Sequence, residues 1–279
     1  MPKLAANLSR LGTETAFEVL ARAGKLAAAG KDIINLGIGQ PDFKTPPHIV
    51  EAAIKAMRDG HHGYTPANGI PALREAVAVD IAKYRKVDID PDSVMIMPGG
   101  KPTMFFAILM FGEPGAEIIY PNPGFPIYES MIRYSGATPV PMRLLEENGF
   151  TFSAEAVLEQ ITPATRLLIL NSPANPTGGV VPKAEFDALV AGLEKHPDVA
   201  ILADEIYSRL LSGNPRPGDP AGRLVQDLRD DRLAARLQRL AEGHVLLCGA
   251  PGGEQSLLRQ RADAVCRHRR AARPAGRRR

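Results

Sequence analysis

Asp204 closes an otherwise apolar run, VAILADE at 199–205, where a carboxylate is expensive to bury without a partner. The natural partner is a cation, so Asp204 reads as an acid set to hold a positively charged group. A helix N-cap or a surface salt bridge is the plainer alternative. MPGGK at 97–101 sets Gly99 and Gly100 between a strand signal and a helix signal. Without side chains there, backbone N–H groups can approach a phosphate, and the helix N-terminus adds partial positive charge. Lys101 is a phosphate contact or a surface lysine. Asn175 lies in NSPANPTGG at 171–179, and its Asn-Pro-Thr-Gly order is also ordinary turn chemistry. Tyr207 follows Asp204 by one turn in ADEIY at 203–207.

Strand signals end at each of these places. SVMIMP (93–98), AEIIYP (116–121), TPVPMRL (138–144), TRLLILNSP (165–173) and VAILADE read as short buried strands. Between and before them lie helical patterns at 13–30, 48–60, 70–86, about 102–112, PIYESMIRYSG and 183–195. Strands alternating with helices of this length predict an α/β protein with a mostly parallel sheet. Ligands gather at the carboxyl ends of strands in such sheets.

The 279 residues are 44% hydrophobic and 23% charged, the balance of a soluble globular chain. No apolar run approaches the roughly 20 residues of a membrane span. The N-terminal MPKLAANLSRLGTETAF lacks a signal peptide's apolar core, so a cytoplasmic protein is expected. Cys248 and Cys266 offer neither a disulfide framework nor metal-ligand spacing, and no metal site is expected.

The net charge of +3 hides a break. Residues 1–212 carry 19 Lys+Arg against 24 Asp+Glu; residues 213–279 carry 15 Arg, no Lys and 7 Asp+Glu. The later stretch also lacks Ile, Phe, Tyr, Met and Thr. Three regions are therefore expected: an N-terminal segment at 1–45, a main domain at 46–211, and an Arg-rich tail at 212–279.

Taken together, NLGIGQPDF (35–43), MPGGK, NSPANPTGG and ADEIY resemble the class I/II aminotransferases of the pyridoxal-phosphate fold type I family. The order and spacing of the motifs fit from about residue 10 to residue 211. The resemblance implies a three-layer sandwich with a mostly parallel central sheet, forming an incomplete cofactor domain, with residues 1–45 belonging partly to a small domain. It also implies pyridoxal 5'-phosphate as cofactor and an amino acid and a 2-oxo acid as substrates. Asp204 then holds the protonated pyridine nitrogen, keeping the ring an electron acceptor. Asn175 and Tyr207 donate to the ring's phenolic oxygen, and Gly99, Gly100 and Lys101 hold the phosphate. Phe125, in PNPGFPIYES, stacks on the ring, with a core aromatic as the alternative. Gly39 matches a backbone contact to substrate; otherwise it is a turn glycine. Tyr64, in HHGYTPANG, matches a tyrosine reaching a neighbouring subunit's phosphate, which implies a homodimer. It is otherwise a loop aromatic.

The resemblance stops short of the family's central residue. That lysine links to the cofactor and moves the substrate proton, and it lies in a Ser-Lys or Ser-x-x-Lys segment beyond Asp-Glu-x-Tyr. Here the last lysine is Lys195, so no catalytic residue is assigned, and no carboxylate-clamping arginine is recognisable. The codons of Ala221 to Leu233 permit, from the second base of each, Leu-Asp-Gly-Trp-Ser-Lys-Thr-Tyr-Ala-Met-Thr-Gly-Trp, which resembles the family's lysine segment. The hidden lysine codon spans the bases of Gln226 and Asp227. A frame change near 212–218 is therefore expected, with a tail that is disordered or, at 224–243, partly helical.

The expected activity is amino-group transfer, impaired in the chain as written. A β-eliminating or cyclising enzyme of the same fold is one alternative. A non-enzymatic fragment whose basic tail binds nucleic acid or anionic lipid is another. The tail's lack of aromatics to stack on bases argues against nucleic acid, and no membrane partner is expected. A sheet cut short should leave an open edge and uncovered apolar faces, and hence poor solubility.

Overall fold

A computed structural model of the chain describes residues 3–12, 15–35, 39, 44–85, 87–208, 245–248 and 255–258. The chain divides into two compact units, 13–67 and the remainder. The smaller unit holds helices α1 (Thr15–Ala28) and α2 (Pro47–Arg58). Proline at the first position of α2 suits a helix start, where its missing N–H is not needed.

In the larger unit, α3 (Pro71–Arg85) leads to strand β1 (Val94–Met97). Buried Arg74 ties the two together. It donates to the carbonyls of Val94 at 3.0 Å and Pro91 at 2.8 Å, and to the Asp92 carboxylate at 2.6 Å. The order continues α4 (Gly100–Phe111), β2 (Glu117–Asn122), α5 (Ile127–Ser135) and β3 (Thr138–Arg143). Then come α6 (Ala154–Glu159), β4 (Thr165–Asn171), α7 (Lys183–Leu193) and β5 (Ala200–Asp204). The short α6 was not anticipated: six residues give too little periodicity, and its start rests on a Ser153 side-chain cap.

Strands β3, β2, β4 and β5 pair in that order, all parallel. Their side chains alternate between two cores. Ile118, Leu167, Ile169 and Leu202 pack with Met104, Ile108, Tyr128 and Ile132 of α4 and α5. Ile119, Leu168, Leu170 and Ile201 pack with Val157 of α6 and Leu189 and Leu193 of α7. Helices thus cover both faces of a parallel sheet, which explains why its strands read as continuous apolar runs. This is the expected three-layer α/β sandwich.

Two further strands lie in the tail, β6 (Val245–Cys248) and β7 (Gln255–Leu258). β6 pairs parallel with β5, and β7 pairs antiparallel with β1. The tail therefore departs from a disordered or partly helical segment at these eight residues. The physical reason is that β5 without a neighbour on this side would leave a row of backbone N–H and C=O groups unpaired. The helix expected at 224–243 and the arginine-rich end at 268–279 lie outside the described residues. Among the described residues no helix is long and apolar enough to cross a membrane, and no cluster of His, Cys, Asp or Glu could hold a metal.

Chain order reverses between β2 and β4, since β3 lies on one side of β2 and β4 on the other. The crevice beyond the carboxyl ends of such neighbours is where doubly wound sheets bind ligands.

Candidate cofactor-binding site

Asp204 is the last residue of β5 and is 6% exposed, which removes the surface salt bridge as its explanation. Its Oδ2 accepts the Tyr128 hydroxyl at 2.6 Å, and among the described residues Oδ1 accepts only the Ile206 N–H at 3.4 Å. Burial pushes the carboxyl above its ordinary value of 3.8. The bonds from Tyr128 and Ile206 pull the other way, and the neighbouring Glu205 charge adds to the rise. Arg85, at the end of α3, forms an ion pair with Glu205. Among the described residues no cation pairs with Asp204 itself, and its side-chain partner is the Tyr128 phenol.

Asn171 ends β4 as Asp204 ends β5, and the two are register partners. The Asn171 side-chain amide donates to the Asp204 carbonyl at 3.0 Å, and its oxygen accepts the Asn175 N–H at 2.8 Å. One buried amide therefore fixes the Asn-Pro-Thr-Gly turn against the end of β5. Tyr207 lies half-buried in the turn that follows Asp204.

Phe125 stands beyond the end of β2, half-buried. Its ring meets Tyr128 edge-on, with centroids 5.9 Å apart and planes at 82°. Gly124 is what allows the chain to turn here: a Cβ on it would lie 2.1 Å from the Pro121 carbonyl oxygen. The Lys101 ammonium lies 5.9 Å from the centroid of the Phe125 ring.

Lys101 belongs to the first turn of α4, whose N-cap is Gly99. Gly99 has φ 97° and ψ 169°, a conformation that side-chain-bearing residues avoid. No side chain caps α4, and the helix's positive end lies at Gly100 and Lys101. An anion is the ligand such an end favours.

A continuous path of contacts thus runs from Lys101 through Phe125, Tyr128, Asp204 and Asn171 to Asn175. Five of the residues singled out from sequence, Gly99, Gly100, Lys101, Phe125 and Asn175, adjoin or lie on this path with Asp204. Gly39 and Tyr64 belong to the other compact unit, where both are exposed. Sequence reading missed Tyr128 and Asn171. The signal for Asn171 was the same as for Asp204, a polar residue ending an apolar run. Tyr128 gave none beyond its spacing three residues from Phe125.

The fold and these contacts define an α/β protein with a buried acid and an open helix end at one rim of a parallel sheet. Residues 31–246 match the family model "Aminotransferase class I and II". The chain is 38% identical over 214 residues to an aspartate aminotransferase of Geobacillus stearothermophilus, covering 77% of this chain and 54% of that one. It is 36% identical over 218 residues to a probable aspartate/prephenate aminotransferase of Aquifex aeolicus, covering 78% and 55%. The solved aspartate aminotransferase from Thermus thermophilus with maleate superposes at TM-score 0.79 and 31% identity, covering 92% of this chain and 65% of that one. The chain spans about half the length of the curated relatives it matches. It belongs to the class I and II aminotransferases, a family dependent on pyridoxal 5'-phosphate.

Proposed function

We propose that this chain holds pyridoxal 5'-phosphate for an aminotransferase that moves an amino group between an amino acid and a 2-oxo acid. The observation that carries the reading is the buried Asp204 carboxylate, short of donors on Oδ1 and lacking a cation among the described residues. A protonated heterocycle satisfies both needs. When bound, the cofactor serves as the sink for electrons released at the substrate carbon. Asp204 accepts the bond from its ring nitrogen, and Phe125 covers one ring face. Asn175 and Tyr207 donate to the phenolic oxygen. The first turn of α4, from Gly99 and Gly100 to Lys101, holds the phosphate. Gly39 touches substrate, and Tyr64 serves the site of a second copy, which makes the protein a homodimer. The cytoplasm is its compartment. Residues 1–45 contribute in part to a small domain, and 46–211 to the cofactor domain.

Relatives named for aspartate and prephenate make aspartate the first amino donor to test. A permitted choice of codons places the lysine that chemistry needs one base out of frame, across the codons of Gln226 and Asp227. Without it the chain loses a general acid–base worth about 10²–10⁴-fold in rate. Sequencing across codons 205–235 tests the frame. The chain as written should bind the cofactor reversibly, form no borohydride-stable link and give no steady transamination of 2-oxoglutarate by aspartate. A frame-restored version should gain both. Steady turnover with a borohydride-stable link in the chain as written overturns the reading.

A further inference from the structure

The proposed cofactor contacts leave one buried polar group of the site without a role, the Tyr128 phenol. Tyr128 is 0% exposed, and its hydroxyl spans 76 residues of sequence to reach Asp204. The 2.6 Å separation is that of a short, well-formed hydroxyl hydrogen bond. The bond engages Oδ2 alone, and a carboxylate has room for further donors on Oδ1. The same side chain meets Phe125 edge-on, and its backbone N–H donates to the Phe125 carbonyl at 3.0 Å. One residue therefore touches both the acid and the aromatic platform.

We infer that Tyr128 is a positioning residue: its phenol orients the Asp204 carboxylate and favours its charged form, while its ring sets the face of Phe125, so that polar and stacking contacts to a cationic heteroaromatic ring arrive in register. The inference rests on the cofactor reading above for the identity of that ring. Other charged groups flank the acid. Glu205 follows it in the chain and is paired with Arg85 from α3, and Lys101 from α4 stands over the Phe125 ring. From β4, Asn171 bonds the Asp204 carbonyl and leaves the carboxylate alone. Tyr128 is the side chain that opposes the effect of burial on this carboxyl.

A tyrosine that only fills the core and finds a partner for its hydroxyl makes a different prediction. The test uses the full 279-residue chain and Tyr128→Phe, which keeps the ring. In the cofactor-free protein, the Asp204 carboxyl followed by carbon NMR should titrate at higher pH in Tyr128→Phe than in the unaltered chain. Pyridoxal 5'-phosphate, titrated by fluorescence, should bind roughly ten- to a hundredfold more weakly to the variant, the usual loss for one bond to a charged group. In the unaltered chain alone, the Tyr128 ring carbon bearing the hydroxyl should shift in step with the Asp204 carboxyl, so the test survives a variant that fails to fold. An Asp204 titration unchanged by Tyr128→Phe, or no shared titration in the unaltered chain, overturns the inference. If the titrations behave as expected but neither protein binds the cofactor, the Tyr128–Asp204 coupling stands and the cofactor reading falls.

Discussion

Strands β4 and β5 end in two different kinds of surface. At their amino ends a cavity of about 570 Å³ is lined by Thr162, Arg166, Lys195, His196 and Asp198 among others. The polar contacts there are mostly exposed: the Thr162 hydroxyl donates to the Glu117 carboxylate at 2.6 Å, and other bonds stay within the loop. Thr162 N–H bonds the Thr165 hydroxyl at 2.9 Å, and exposed Arg166 bonds the carbonyls of Pro163 at 2.7 Å and Thr165 at 3.3 Å. At their carboxyl ends the polar groups are buried, and their partners come from 76 and 33 residues away. Among the described residues a void marks the amino ends, and buried bonding marks the carboxyl ends. Buried hydrogen bonds, shielded from competing water, hold a side chain in one geometry against the entropy that would free it, which is what a site for a rigid aromatic cofactor requires.

The sharpest break of that contrast is Asp204→Ala. Removing one member of a buried, hydrogen-bonded charge pair should weaken binding of pyridoxal 5'-phosphate by about 2–5 kcal/mol, read by titration. Asn171→Ala comes next. It removes two bonds and strands buried groups, so urea unfolding should show a loss of about 2–3 kcal/mol. Gly99→Ala imposes a side chain on a backbone with φ 97° and should lower stability by about 1–3 kcal/mol in the same assay. At the other strand ends, Arg166→Ala should change stability by no more than about 0.5 kcal/mol and leave cofactor affinity untouched. An Arg166 effect as large as that of Asn171 would erase the distinction between the two rims.

Acid pH sharpens the comparison further. Burial raises the Asp204 carboxyl, so folding favours its protonated form. The stability this group contributes to the cofactor-free chain is full below its ordinary value of 3.8 and is lost as pH rises through the raised one. Asp204→Asn should therefore melt at the same or a higher temperature than the unaltered chain at neutral pH while losing the cofactor. A lower melting temperature for Asp204→Asn would mean that the acid serves the fold.

The layers were legible because each strand of a sheet covered on both faces reads as an apolar run, and each helix between them carries its own stripe. Asp204 was legible for the same reason, as a break in such a run. Asn171 carried the identical mark but was overshadowed by Asn175, whose turn sequence is more conspicuous. Tyr128 was not legible: a tyrosine in an amphipathic helix looks like core, and its role depends on a partner 76 residues away that folding alone brings near. The strands β6 and β7 were missed because an arginine-rich composition argues against regular structure. Pairing along an open edge of β5 and β1 acts over four residues at a time, below what composition can register.

The claim on which the account turns is that Asp204 holds a protonated ring nitrogen. Pyridoxal 5'-phosphate carrying ¹⁵N in the ring, bound to the unaltered chain at neutral pH, tests it most directly by NMR. The account predicts the resonance of a protonated pyridine, reverting to the unprotonated position when Asp204 is replaced by Ala. A bound ring whose nitrogen is unprotonated, or whose protonation ignores that replacement, would contradict it.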